Sequence, residues 1–144
     1  MSIFGDIMEV STEDMHRVFV FLGVAYGSRA AVAHFRERHR WGEDTGQPLI
    51  NLVSFYRDRA TPLQPTYGSA KSAVHGFTEA LRVELAHEGL PVAVTLVHPG
   101  GSTRRNEHAH SYAEHHPSHH GIVYPPEAVA SGILRAAARP TRDV

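Results

Sequence analysis

The sequence predicts an α/β fold built on a parallel sheet, and three observations carry that reading. Two short apolar runs, Leu49-Ile50-Asn51-Leu52-Val53-Ser54 and Val92-Ala93-Val94-Thr95-Leu96-Val97, have the length and hydrophobicity of strands buried on both faces. Between them lies a long segment with apolar residues at helical spacing, and a strand-helix-strand order makes the two strands parallel through a right-handed crossover. Further helical patterns precede the first strand and follow the second.

In chain order, the first helix opens at Ser11-Thr12-Glu13-Asp14, which offers an N-cap and acidic residues for the first turn. Its apolar positions are Met15, Val18, Phe19, Leu22, Ala25, Val32 and Phe35, and it ends in the basic stretch 36–40. Gly23-x-x-x-Gly27 inside it reads as a helix-packing face. A Gly/Asp loop over residues 41–47 leads to the first strand, with Ser54 at that strand's C-terminal end. The second long helix, about residues 67–88, has Val74, Phe77, Leu81 and Leu85 as its inner stripe and Gly89 as its C-terminal cap. The next strand starts after Pro91 and ends in His98-Pro99-Gly100-Gly101. A polar segment, 102–120, is followed by a helix opened by Pro125-Pro126-Glu127 and closed before Pro140. There is no internal repeat.

At 144 residues and 42% hydrophobic content, the chain has the size of a single domain spanning residues 1–144. A formal net charge of −1 argues against a nucleic-acid or anionic-membrane partner held by bulk charge. No cysteine is present, which excludes disulfides, a thiolate nucleophile and a thiolate metal site. The first residues form neither a basic nor an apolar leader, and the apolar run 18–25 is too short to span a bilayer, so no membrane partner and a cytoplasmic location are expected.

The clearest chemical signal is Lys71, the one lysine among fourteen basic Lys and Arg residues, four positions after Tyr67 in Tyr67-Gly68-Ser69-Ala70-Lys71. Lysine is a compact donor whose pKa responds to burial, whereas arginine is a planar fork that stays charged. Helical residues four apart share a face, so the phenol and the ammonium can point into one site. An ammonium there favours the tyrosinate and brings tyrosine into the range of acid–base catalysis. Ser54, Tyr67, Lys71, Pro99 and Gly100 all fall at the carboxyl edge of the parallel sheet, where open α/β folds bind ligands.

Ser54, then Tyr67-Gly-Ser-Ala-Lys71, then Val97-His98-Pro99-Gly100, resemble the short-chain dehydrogenase/reductase family in its single-domain branch, from about residue 5 to 140. The stretch Ala73-Val74-His75-Gly76-Phe77-Thr78-Glu79 is similar to the family's helix after the lysine, with Gly76 allowing close packing. The resemblance implies a partial Rossmann-like fold, the C-terminal half of a doubly wound parallel sheet with long flanking helices. It implies NAD or NADP as cofactor and a small carbonyl or alcohol substrate. In this scheme Tyr67 is the proton donor or acceptor, Lys71 holds the tyrosine pKa down and bonds the cofactor ribose, and Ser54 orients the substrate oxygen. Tyr67, Lys71, Pro99, Gly100 and, more loosely, Thr103 would contact the cofactor. The two long helices resemble those through which the family forms homo-oligomers.

The departures are equally specific. The glycine turn T-G-x-x-x-G-x-G, the residue selecting NAD from NADP, and the Asn-Asn-Ala-Gly strand are absent, and no asparagine stands in Arg17-Val-Phe-Val-Phe-Leu-Gly23 where the family carries one. The chain resembles a member that begins just after its fourth strand and stops before its last, which predicts weak cofactor binding, exposed sheet edges and either an impaired dehydrogenase or a non-catalytic interaction module. His108, His110, His115, His116, His119 and His120 form a dense cluster. Pro117 interrupts any helix that would align them, so a substrate lid rather than a metal site is expected there.

Overall fold

Helix formation starts where the sequence supplies a cap. The Ser11 hydroxyl accepts a hydrogen bond from the Asp14 N–H at 3.1 Å, opening α1 (Thr12–Val18) with Glu13 and Asp14 in its first turn. The computed structural model describes residues 3–4, 7–8, 10–18, 21–43, 46–54, 62–102, 110–111 and 123–144. Of the one helix expected over 11–40, the described residues comprise α1 and α2 (Phe21–Arg40), and residues 19–20 lie outside them.

α2 buries only Ser28 and Val32 fully. Leu22, one of the expected apolar positions, is 49% exposed, and among the described residues nothing lies within 4 Å of a Cβ on Gly23 or Gly27. Among the described residues the two glycines therefore pack against no other helix. Thr12–Arg40 contains an 18-residue window of mean hydropathy 1.4, long and apolar enough by length and composition alone to cross a bilayer, which the short run 18–25 did not suggest. Here α2 packs instead on α3 (Pro65–Glu88) and on β2 (Gln47–Leu52).

α3 carries the core. Val74, Leu81 and Leu85 are buried as expected, joined by Ala70 and Thr78, while Phe77 is partly buried and meets Phe21 edge-to-face at 5.8 Å. Gly76 is exposed with no neighbour within 4 Å, so it permits no close approach here. The helix stops in a Schellman motif: Gly89 takes φ 67°, its N–H bonds Ala86, and the Leu90 N–H bonds Leu85. Leu90 and Leu85 then share one apolar cluster with Val32, Leu81 and Val94.

β2 and β3 (Val92–Val97) pair in parallel, from Gln47 opposite Val92 to Leu52 opposite Val97. Their burial is unequal. Val94, Thr95, Leu96 and Val97 are buried, but in β2 only Asn51 is, so the expectation of burial on both faces holds for β3 alone. The cause is the number of neighbours. Among the described residues β2 has one strand partner, whereas residues 142–144 run in parallel along the far side of β3. There the Leu96 N–H bonds Arg142, the Val144 N–H bonds Leu96, and the His98 N–H bonds Val144. After α4 (Pro126–Ala138) the chain thus makes an isolated parallel bridge to β3, with Asp143 opposite Leu96. Two further pairs of two-residue strands are also parallel: β1 (Ile3–Phe4) with β5 (His110–Ser111), and β4 (Gly101–Ser102) with β6 (Val123–Tyr124).

A buried polar chain ties the layers. Ser28 Oγ donates to Asn51 Oδ1 at 3.3 Å, Asn51 Nδ2 donates to Thr78 Oγ1 at 3.0 Å, and Thr78 Oγ1 donates to the Val74 carbonyl at 2.8 Å. It links α2, β2 and α3 and satisfies polar groups that burial would otherwise penalise. On the surface Arg36 of α2 grips Glu88 of α3 through both carboxylate oxygens.

Candidate functional site

β2 ends at Leu52, and two residues later Ser54 is buried at 7% exposure, beyond the strand rather than within it. The chain returns through Leu63, whose φ of 64° is unusual for a branched residue, and Gln64 into α3. Pro65 occupies the first helical position, so α3 begins two residues earlier than its apolar pattern indicated and places Tyr67 in the first turn. Tyr67 is half-buried and packs with Met15 against Val10.

Lys71 lies one turn further on. Its Nζ sits 5.7 Å from the Tyr67 ring centroid and 3.4 Å from the Leu52 carbonyl oxygen, where it donates a hydrogen bond. Burial pushes the Lys71 pKa down from its ordinary value. The ammonium thus joins the start of α3 to the end of β2, two residues before Ser54. The Leu52 carbonyl could not be read from the sequence, because a backbone acceptor leaves no residue signature.

The Gln64 Oε1 atom is a buried acceptor with no hydrogen-bond partner among the described residues. Such an atom is costly to leave unpaired, and only a tertiary structure exposes it.

At the end of β3, Pro99 is half-buried and Gly100 is exposed. A Cβ on Gly100 would lie 3.9 Å from the Tyr124 ring, so the turn passes close beside β6. Thr103 lies outside the described residues, as do His108, His115, His116, His119 and His120. Among the described residues no group of three His, Asp or Glu side chains could hold a metal ion.

The site's cationic and phenolic groups suit proton transfer at an oxygen and the binding of hydroxyl-bearing ligands. Against a dinucleotide the fit is partial. Lys71 and Tyr67 offer donors suited to a ribose, but the described residues contain no glycine turn leading from a strand into a helix, the usual pyrophosphate cradle.

The family model for short chain dehydrogenases matches residues 1–114. The uncharacterized oxidoreductase YxnA of Bacillus subtilis is 50% identical over an alignment covering 100% of this chain and 40% of its own length. Cyclopentanol dehydrogenase of Comamonas is 30% identical over 65% of this chain and 35% of its own length. Among solved structures, a short chain dehydrogenase from Mycobacterium smegmatis superposes with a TM-score of 0.72 at 23% identity, over 100% of this chain and 53% of that one. The chain therefore spans about 40% of the length of the first of these relatives.

Proposed function

The chain belongs to the short-chain dehydrogenase family, and on that premise we propose that it carries the proton-transfer half of an NAD- or NADP-dependent carbonyl/alcohol oxidoreductase. The observation that carries this reading is the Lys71 ammonium held between the Tyr67 ring and the Leu52 carbonyl. Tyr67 gives a proton to a substrate carbonyl oxygen in reduction and takes one from an alcohol in oxidation. Lys71 stabilises the tyrosinate left behind. Ser54 donates to the same substrate oxygen and orients it. When bound, the nicotinamide supplies or accepts the hydride. Lys71 and Tyr67 would hold its ribose, with Pro99 and Gly100 beside it; Thr103 completes the set by resemblance. The name of one relative, cyclopentanol dehydrogenase, supports a small secondary alcohol as the substrate class.

Pyrophosphate contacts are missing from the described residues, so binding of NADH or NADPH to this chain is set by the ribose end, with a Kd of about a millimolar, worth roughly 4 kcal/mol. Saturation-transfer NMR on the 144-residue chain tests the reading. Transfer to the nicotinamide ribose protons is expected, and its loss in Lys71→Met. Transfer that survives Lys71→Met unchanged overturns the assignment.

A second feature supports homo-oligomerisation through the two long helices. Leu22 and Tyr26 of α2 and Val83 of α3 are exposed, and Gly23, Gly27 and Gly76 leave open space beside them. Small residues flanking apolar ones let two helix pairs approach closely. This surface also carries the alternative reading, an interaction module without catalysis, which gains ground if no cofactor transfer is observed.

A further inference from the structure

A lysine amine is a nucleophile only when it is uncharged, and a protein favours that form by burying the nitrogen without a counter-charge. Lys71 meets both conditions. Its Nζ donates to the Leu52 carbonyl oxygen at 3.4 Å and stands over the Tyr67 ring, 5.7 Å from its centroid. Among the described residues no carboxylate pairs with it. Burial pushes its pKa down, with no neighbouring charge to oppose the shift. It is also the one lysine among fourteen Lys and Arg residues, and a guanidinium, which stays charged, cannot act as an amine nucleophile.

The contacts that hold this nitrogen leave it able to react. The bond to Leu52 engages one N–H, so it fixes the position of the uncharged amine without engaging its lone pair. Tyr67 lies one helical turn earlier on the same face of α3, and Ser54 follows Leu52 by two residues. A nucleophilic nitrogen and a hydroxyl acid therefore stand together where α3 begins and β2 ends. Imine formation requires that pair of groups, because water must be expelled once the nitrogen has added to a carbonyl.

We propose that Lys71 is a site of reversible covalent capture for small aldehydes and ketones, as an imine on Nζ, with Tyr67 as the acid that releases water. The inference rests on the reading of Tyr67 as the proton donor of the site. The Nζ lone pair bonds to the carbonyl carbon, the C=O π pair moves to oxygen, and one nitrogen proton passes to that oxygen to give a carbinolamine. Tyr67 then protonates the hydroxyl, which leaves as water while the nitrogen lone pair forms the C=N bond. The remaining nitrogen proton returns to the tyrosinate. One amine and one carbonyl become one imine and one water, and nothing is oxidised or reduced. The step therefore needs no nicotinamide and no pyrophosphate cradle, which the described residues lack.

The test is imine trapping on the 144-residue chain at neutral pH, with propanal or cyclopentanone as the probe and sodium cyanoborohydride as the reductant. Reduction turns an imine into a stable secondary amine, which peptide mass spectrometry locates. Lys71 and the α-amino group are the two primary amines of the chain, so the second is an internal reference. The ratio of Lys71 to α-amino labelling is expected to be about tenfold higher in the folded chain than in guanidinium chloride, where Lys71 regains its ordinary pKa. In Tyr67→Phe, which keeps the ring, the ratio should fall several-fold, and in Lys71→Arg the α-amino adduct alone should remain. A folded ratio equal to or below the unfolded one overturns the proposal, and this comparison stands even if Tyr67→Phe fails to fold. An unchanged ratio in a folded Tyr67→Phe overturns the role given to Tyr67. Trapping at Lys71 without any transfer from the chain to the nicotinamide ribose would defeat the dehydrogenase reading and leave this one standing. The reverse pattern would overturn this inference alone.

Discussion

At Lys71, function and stability pull in opposite directions. Burial lowers its pKa, so the folded chain bears a desolvated ammonium with one backbone acceptor and one aromatic face as its contacts. Lys71→Met keeps the stem's packing and removes that charge. The expected outcome is a urea midpoint unchanged or higher, together with loss of ribose contact in the NMR experiment; a lowered midpoint would mark the lysine as structural. Asn51 is the opposite case. Asn51→Ala removes the acceptor of the buried Ser28 hydroxyl and the donor to Thr78, whose bond to Val74 remains, at a cost of about 2 kcal/mol in urea unfolding. Tyr67 and Lys71 were legible in the sequence because their spacing is itself the signal. Asn51, Leu52 and Asp143 were not, since each acts on a partner that is distant in sequence.

At the scale of elements, capping and apolar spacing gave boundaries close to those observed for α3 and α4, and the start of α1. α3 illustrates why: Gly89 must adopt φ 67°, a region that costs other residues about 1–2 kcal/mol. Gly89→Ala should therefore destabilise by about 1 kcal/mol, read as a shift in urea midpoint at constant slope. Leu85, 2% exposed and tied into the same motif, should cost roughly 2–5 kcal/mol as Leu85→Ala. What pattern could not separate was the burial of two similar apolar strands. Both runs read as double-sided strands, but among the described residues only β3 is paired on each side, with β2 and through the Leu96–Asp143 bridge.

For the whole molecule, charge sets a direction for acid sensitivity. Burial raises the Asp143 carboxyl, and the His98 hydrogen bond with the Arg82 and Arg142 charges outweighs it, leaving the pKa below its ordinary 3.8. The Glu88 carboxyl is likewise held below 4.5, chiefly by the Arg36 hydrogen bond. Depressed carboxyl pKa values contribute stability that is fully present above the unfolded values and is lost as pH falls through the folded ones. Unfolding free energy should thus decline below about pH 4.5, and Asp143→Asn should flatten that decline. Leu22 and Tyr26 of α2 and Val83 of α3 are exposed and form the surface through which self-association is proposed. Light scattering should report an oligomer at micromolar concentration that Tyr26→Asp with Val83→Asp converts to a monomer; an unaltered chain that is already monomeric removes this interface.

By itself the sequence determined the α/β class, the parallel strand-helix-strand unit and the spacing of Ser54, Tyr67 and Lys71, because periodicity, caps and short-range spacing are local properties written residue by residue. Only the tertiary structure decided which strand is sheltered, that Gly23, Gly27 and Gly76 face open space, that residues 142–144 pair with β3, and that Lys71 is held by a backbone carbonyl of β2. Those outcomes depend on which segments become neighbours across tens of residues, and burial and hydrogen-bond partners exist only once that packing is made.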